Sequence, residues 1–148
     1  MKKTDPPIII EEIYTTTLPQ LWNALTTHSL MVQWYFDNIP DFIPEVGFTT
    51  SFATHNEGRS FTHLWEITEV VPQKRISYNW RYQEYEGDSF ITFELIPIAD
   101  KIMLRVILSV LADFPDHIPE FETESCQMGW QYFLGLRLKA FLGERKNK

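Results

Sequence analysis

Residues 59–82 read RSFTHLWEITEVVPQKRISYNWRY, and this stretch decides the fold. Phe61, His63, Trp65 and Ile67 fall on one parity, with Thr62, Leu64, Glu66 and Thr68 on the other. After Pro72-Gln73-Lys74 the alternation resumes, with Ile76, Tyr78, Trp80 and Tyr82 against Arg75, Ser77, Asn79 and Arg81. Period-two patterning puts the aromatic set of each segment on one face of a strand, and the short break between them makes a hairpin. Outward from this hairpin, strands are expected at about 46–54, 89–97 and 101–111. Asn56-Glu57-Gly58, Glu86-Gly87-Asp88 and Ala99-Asp100 supply the turns. Successive strands joined by tight turns form an antiparallel meander, and such a sheet needs a cover for its apolar face.

The flanks supply the cover. Residues 8–17 read as a further strand. Thr17 is a fitting N-cap ahead of Leu18-Pro19, and Leu18, Leu21, Trp22 and Leu25 recur at helical spacing. A short second helix starts near Ser29, with Leu30 and Trp34 facing inward. Asp37–Pro44 and Asp113–Pro119 carry prolines and acidic residues and read as loops. A long last helix is expected from Pro119 or Glu120 to Leu142, ended by Gly143. At about 100° per residue its inner face holds Cys126, Trp130, Phe133, Leu134, Arg137 and Phe141. The order β-α-α-β-β-β-β-β-α predicts one α+β domain over residues 1–148, with flexible ends at 1–7 and 144–148. Its curved antiparallel sheet of about six strands wraps around the C-terminal helix.

Composition bounds the function. The chain of 148 residues carries 11 Phe, 5 Trp and 6 Tyr, enough aromatic area for a thick core or an aromatic-lined cavity. A net charge of −7, with Lys and Arg clustered only in the tail 145–148, excludes a phosphate-backbone binder, so no nucleic-acid partner is expected. Cys126 is the sole cysteine, so no internal disulfide forms. Ile8-Ile9-Ile10 is cut short by Glu11 and Glu12, and no apolar run is long enough to span a membrane, which points to a cytoplasmic protein.

The chain resembles the START-like, Bet v 1-like helix-grip superfamily over residues 8–142. Within it, the chain resembles the family named for the C-terminal domain of the activator of Hsp90 ATPase. Leu18-Pro19-Gln20-Leu21-Trp22-Asn23-Ala24-Leu25-Thr26 is similar to that family's opening helix, and Trp34-Tyr35-Phe36 stands where the family has a Trp-Phe pair. Val46-Gly47 with Phe52, Val70-Val71-Pro72 with Arg75-Ile76, Tyr78-Asn79-Trp80, and Gly129-Trp130 come in family order. Phe48 replaces the usual second glycine, and His63-Leu64-Trp65 replaces a glycine-containing strand start, so the cavity is expected to be narrowed. The resemblance implies a helix-grip fold with a cavity between sheet and helix. The eukaryotic co-chaperone carries a separate N-terminal domain for which this chain has no room, so a chaperone role is not implied strongly.

No nucleophile elbow, phosphate-cradling loop, paired catalytic carboxylates or HExxH motif is present, so no catalytic residue, metal or cofactor is assigned. Asp113, Asp116, His117 and Glu120 are read as an acidic loop ahead of the last helix rather than a metal site. His63 is open to two readings, a polar group inside a pocket or a pairing residue on the outer face. Arg137 is open likewise, as a rim residue or a charged handle inside. The candidate cavity residues are His63, Trp65, Tyr78, Trp80, Arg105, Trp130, Phe133 and Arg137. A hydrophobic small molecule is the expected partner. A protein module related to Hsp90 co-chaperones, or a cyclase- or hydratase-like enzyme, are the other readings, and a homodimer is open.

Overall fold

A computed structural model describes residues 1–146 of the chain. The expected order holds: β1 (Ile8–Tyr14), α1 (Leu18–Thr26), α2 (His28–Trp34), then β2 (Thr49–Asn56), β3 (Arg59–Val71), β4 (Arg75–Tyr82), β5 (Asp88–Ile98) and β6 (Lys101–Ala112). The C-terminal helix comes after a single 3-10 turn at Pro119–Phe121. It runs as α3 (Thr123–Tyr132), a π-helical stretch Phe133–Leu138, and α4 (Lys139–Lys146). The six strands form one antiparallel sheet in the order β1-β6-β5-β4-β3-β2, so the meander is completed by β1 docking beyond β6. Register runs from Ile8 opposite Leu108 to Tyr14 opposite Ile102. A bulge between Ile67 and Glu69 shifts the β3–β4 register and bends the longest strand.

Local chemistry explains these elements. The Thr17 side chain accepts from Gln20 N at 3.3 Å and caps α1, whose Leu21, Ala24 and Leu25 are buried. Trp34 of α2 is fully buried, and its Nε1 donates to Ala24 O at 2.8 Å, lashing the two short helices together. The inward parity of β3 (Phe61, His63, Trp65, Ile67) and of β4 (Ile76, Tyr78, Trp80) is buried. That resolves the reading of His63: it faces the interior.

The last helix departs from its expectation in two ways. The π stretch closes i→i+5 bonds and so takes more residues per turn, which rotates the helix beyond it. Trp130, Leu134 and Leu138 are buried, and Arg137 is turned out of the inner face. The Tyr14 hydroxyl donates to Leu134 O at 2.7 Å within this stretch, tying β1 to the helix. Gly143, expected to cap the helix, instead lies inside α4.

Residues 1–7, expected as a flexible end, are tied down. Phe114 N donates to Met1 O at 3.0 Å and Lys3 N to Asp113 Oδ1 at 2.7 Å. Lys2 also pairs with Asp116. At the other expected end, helix α4 reaches Lys146, and residues 147–148 lie outside the described residues.

Buried apolar residues divide into two clusters. The main core joins the sheet's inner face to α1, α2 and the C-terminal helix, and includes Trp34, Tyr35, Trp65, Tyr78, Trp130, Leu134 and Leu138. A satellite cluster of Phe61, Phe114, Ile118 and Phe121 sits where the segment before α3 folds over the β3–β4 end of the sheet. The functional candidate lies at the seam between them.

Candidate functional site

A cavity of about 140 Å³ opens between the sheet and the C-terminal helix. The main core contributes Trp80, Leu108, Trp130 and the partly buried Phe36 and Phe133 to its wall. The satellite cluster contributes Phe114 and Phe121, with Met1 and Tyr82 packed against both clusters. An engineered cavity of about 150 Å³ lined by aliphatic and aromatic side chains stays dry and accepts benzene, whereas sites for drug-sized ligands run from about 300 Å³ upward. The space therefore admits one ring. Of the bulky positions expected to narrow the cavity, His63 is on its wall, whereas Phe48, Leu64 and Trp65 are not; Phe36 packs on Phe52 and His63, with ring centroids 5.0 and 4.9 Å away.

His63 is the polar centre of this region. Its ring stacks on Phe52 at 4.6 Å and 8°, with Tyr82 at 4.9 Å and Trp80 at 5.4 Å. Nε2 is 3.1 Å from Thr54 Oγ1, while Nδ1 has no partner. Burial pushes the imidazole pKa down to about 3, against a small opposing pull from the Glu84 charge. The ring is neutral at physiological pH. The Trp80 indole N–H is also buried without a hydrogen bond; it lies beside the Tyr82 hydroxyl, which burial keeps protonated. A buried donor or acceptor left unmade costs about 1–3 kcal/mol, so two on one cavity wall call for an explanation.

Two other titratable side chains on the wall are also shifted away from neutral pH. Burial pushes the Cys126 thiol up to about 11, which keeps it a thiol rather than a nucleophile. Glu120 is held below the usual carboxylate range by Arg59 and Asn56. Arg59 Nε and Nη2 donate to it at 2.9 and 2.8 Å, and Asn56 Nδ2 at 2.6 Å. These bonds fasten the segment before α3 to the β2–β3 hairpin. A crevice of about 210 Å³ on that side shares His63, Tyr82, Glu120 and Phe121 with the cavity.

Of the residues expected at the site, His63, Trp80, Trp130 and Phe133 line the cavity. Trp65 and Tyr78 sit behind that wall in the core. Trp65 packs on Phe52 and Tyr78 at 4.9 and 4.8 Å, and the Tyr78 hydroxyl is 3.0 Å from that of Tyr35. Arg105, expected in the cavity, is on the opposite face of the sheet, where Nε donates to Glu11 at 2.7 Å. The alternation of strand β6 sets Arg105 on the same parity as Lys101 and Ser109, opposite the buried Ile102, Leu104, Val106 and Leu108. Arg137 is turned out of the cavity and donates to Gln33 O at 3.0 Å and to the Tyr132 hydroxyl at 3.3 Å, a consequence of the π stretch. Phe114 and Phe121 join the wall from irregular segments, where no periodicity tells inside from outside. Among the described residues no three His, Cys, Asp or Glu side chains converge as a metal site requires. Among the described residues, no helix is long and apolar enough to cross a membrane.

Gly87 holds the floor of the satellite cluster. It adopts φ +115°, and a Cβ there would run into the Phe114 ring. Gly87→Ala is therefore expected to lose about 1–3 kcal/mol, from backbone strain and overpacking together. Urea denaturation measures the loss, and a shifted Phe114 ring resonance would report its cause; unchanged stability would mean the loop yields freely.

A family model described as "Activator of Hsp90 ATPase homolog 1-like protein" matches residues 15–143. Protein CV1439 from Chromobacterium violaceum has a similar structure, with a TM-score of 0.75 at 22% identity, covering 92% of this chain and 96% of that one. PFC0360w, an HSP90 activator from Plasmodium falciparum, gives 0.71 at 21% identity over 93% and 96% of the two chains. DynU16, from the dynemicin biosynthetic locus, gives 0.74 at 21% identity, covering 94% of this chain and 48% of its own. No curated protein matches the sequence. At these identities the structural likenesses speak for the fold.

Proposed function

As the chain belongs to the activator of Hsp90 ATPase homolog 1-like family, we propose that it binds a small apolar molecule between its sheet and its C-terminal helix. The observation that carries this reading is the aromatic-walled cavity of about 140 Å³ at the seam of two hydrophobic clusters. The lining favours binding over turnover. General acid–base work wants a group that titrates near the working pH, and His63 at about 3 and Cys126 at about 11 stand far to either side.

Calorimetric titration with toluene, naphthalene and a flavonoid tests the reading. Toluene is expected to bind and to raise the melting temperature, naphthalene to bind weakly, and the flavonoid not at all. A chain that ignores toluene, or that takes only the large ligand, contradicts the proposal.

A second reading, a protein-interaction module, is favoured by one feature. Met128, Tyr132 and Leu136 recur along one side of the C-terminal helix and are 62%, 47% and 59% exposed. A row of apolar side chains on a helix is the kind of surface a partner covers. With PFC0360w described as an HSP90 activator, an Hsp90-type chaperone is the occupant to try. Chaperone binding weakened by Leu136→Glu and indifferent to toluene would favour this reading over the first.

A further inference from the structure

We infer that the molecule held in this cavity is a phenol by chemical class, its oxygen set between the Trp80 indole N–H and the unbonded ring nitrogen of His63. The inference rests on the cavity-binding reading above and specifies the ligand for it. Both residues line the cavity and both are more than nine-tenths buried; His63 Nδ1 lacks a hydrogen-bond partner, and Trp80 Nε1 has only a loose contact with the Tyr82 hydroxyl, which lines the same cavity. The two rings stand 5.4 Å apart between centroids, tilted by 60°. Trp65 Nε1, also buried without a hydrogen bond, belongs to a ring that does not line the cavity.

The two nitrogens ask for different things. An indole N–H only donates, so it needs an acceptor. What His63 Nδ1 needs depends on the tautomer set by the Nε2 contact to Thr54. If Nε2 donates to the threonine oxygen, Nδ1 is a bare lone pair that needs a donor; if the threonine hydroxyl donates, Nδ1 carries the proton and needs an acceptor. A hydroxyl serves Trp80 as acceptor and rotates to serve His63 in either state. A ketone satisfies only one tautomer, a hydrocarbon neither atom, and an ammonium offers Trp80 nothing.

Charge narrows the class further. Among the described residues no Lys or Arg lines the cavity, and the acidic side chain that does, Glu120, already holds Arg59 in a two-pronged contact. The Met1 ammonium donates to Phe121 O at 2.8 Å. A carboxylate or phosphate entering would lose its hydration with no side-chain cation to replace it. A phenol is neutral at pH 7, since the group ionises near pH 10. Its ring suits walls built from Phe114, Phe121, Trp130 and Phe133.

Calorimetry at pH 7 on the full chain with phenol, toluene and benzoate tests the assignment. Phenol is expected to bind at least tenfold more tightly than toluene, and benzoate to give no heat. Trp80→Phe and His63→Phe keep a ring but remove a nitrogen; each should erase the phenol advantage while toluene still binds, which also shows that the variants fold. Toluene binding with no phenol preference, or a preference that survives both substitutions, overturns the hydroxyl assignment and leaves the cavity reading intact. Failure of phenol and toluene alike overturns both.

Discussion

Acid is expected to destabilise this protein through His63 by about 1.4 kcal/mol per pH unit between roughly pH 6.5 and pH 3. The unfolded chain takes up a proton near the ordinary imidazole value of 6.5, whereas the folded state refuses it down to about 3. Within that window the unfolded state binds more protons, so stability rises with pH. The contribution is fully present above pH 6.5, falls as the pH drops, and is exhausted near pH 3, where the folded imidazole protonates too. The cause is desolvation by Phe36, Phe52, Trp80 and Tyr82, with the Glu84 charge working weakly the other way. Urea denaturation at pH 7.5, 5.5 and 4.5, run on the wild type and on His63→Phe, isolates the effect, because other groups titrate alike in both. The stability difference between the two proteins should change by about 1.4 kcal/mol for each unit below pH 6. Parallel pH profiles would show that His63 reaches solvent and protonates in the folded state.

Trp130→Ala is expected to cost about 3–5 kcal/mol and to be partly rescued by indole. Trp130 is 5% exposed and meets Tyr35, Trp80, Phe93 and Phe133 at centroid distances of 5.8, 5.9, 5.8 and 6.1 Å. It clamps the C-terminal helix onto the sheet from a position on the cavity wall. Removing it loses the packing and merges its volume with a cavity already present, so the surroundings have little to collapse onto. A ligand that binds only the folded state stabilises it by about 2.7 kcal/mol at a hundred times its Kd, and indole replaces the missing side-chain ring. The melting temperature of Trp130→Ala should therefore climb with indole well beyond the small rise of the wild type. A loss below about 1 kcal/mol, or equal shifts in both proteins, would mean that Trp130 does not border the cavity.

The fold is legible in the sequence because the residues that determine it obey a period. Strands β3 and β4 keep to the alternation of 59–82, and Thr17 caps α1 as its chemistry requires. The site is legible only where it borrows those periods. His63 and Trp80 come from alternating strands, and Trp130 and Phe133 precede or begin the π stretch, so the helical projection places them correctly. Arg137 falls beyond most of that stretch, where an i→i+5 turn changes the phase; nothing in Phe-Leu-Gly-Leu-Arg-Leu at 133–138 announces the change. Arg105 is a different case: the alternation of β6 groups it with Lys101 and Ser109 on the outer face, so its place outside is legible in the strand itself. Phe114 and Phe121 complete the wall from aperiodic chain, held by pairings such as Phe114 N to Met1 O that span more than a hundred residues. Cavity volume is a property of how all these side chains meet, which no single segment encodes.

The central claim is that this fold holds a one-ring ligand inside, between the sheet and the C-terminal helix. Intermolecular nuclear Overhauser effects from bound toluene to the protein test it most directly. Cross-peaks to Leu108, Phe114 and Trp130 are predicted, and they should vanish in Leu108→Phe, whose larger ring occupies the space. Cross-peaks confined to Met128, Tyr132 and Leu136 would place the ligand on the outer face of the helix and contradict the account.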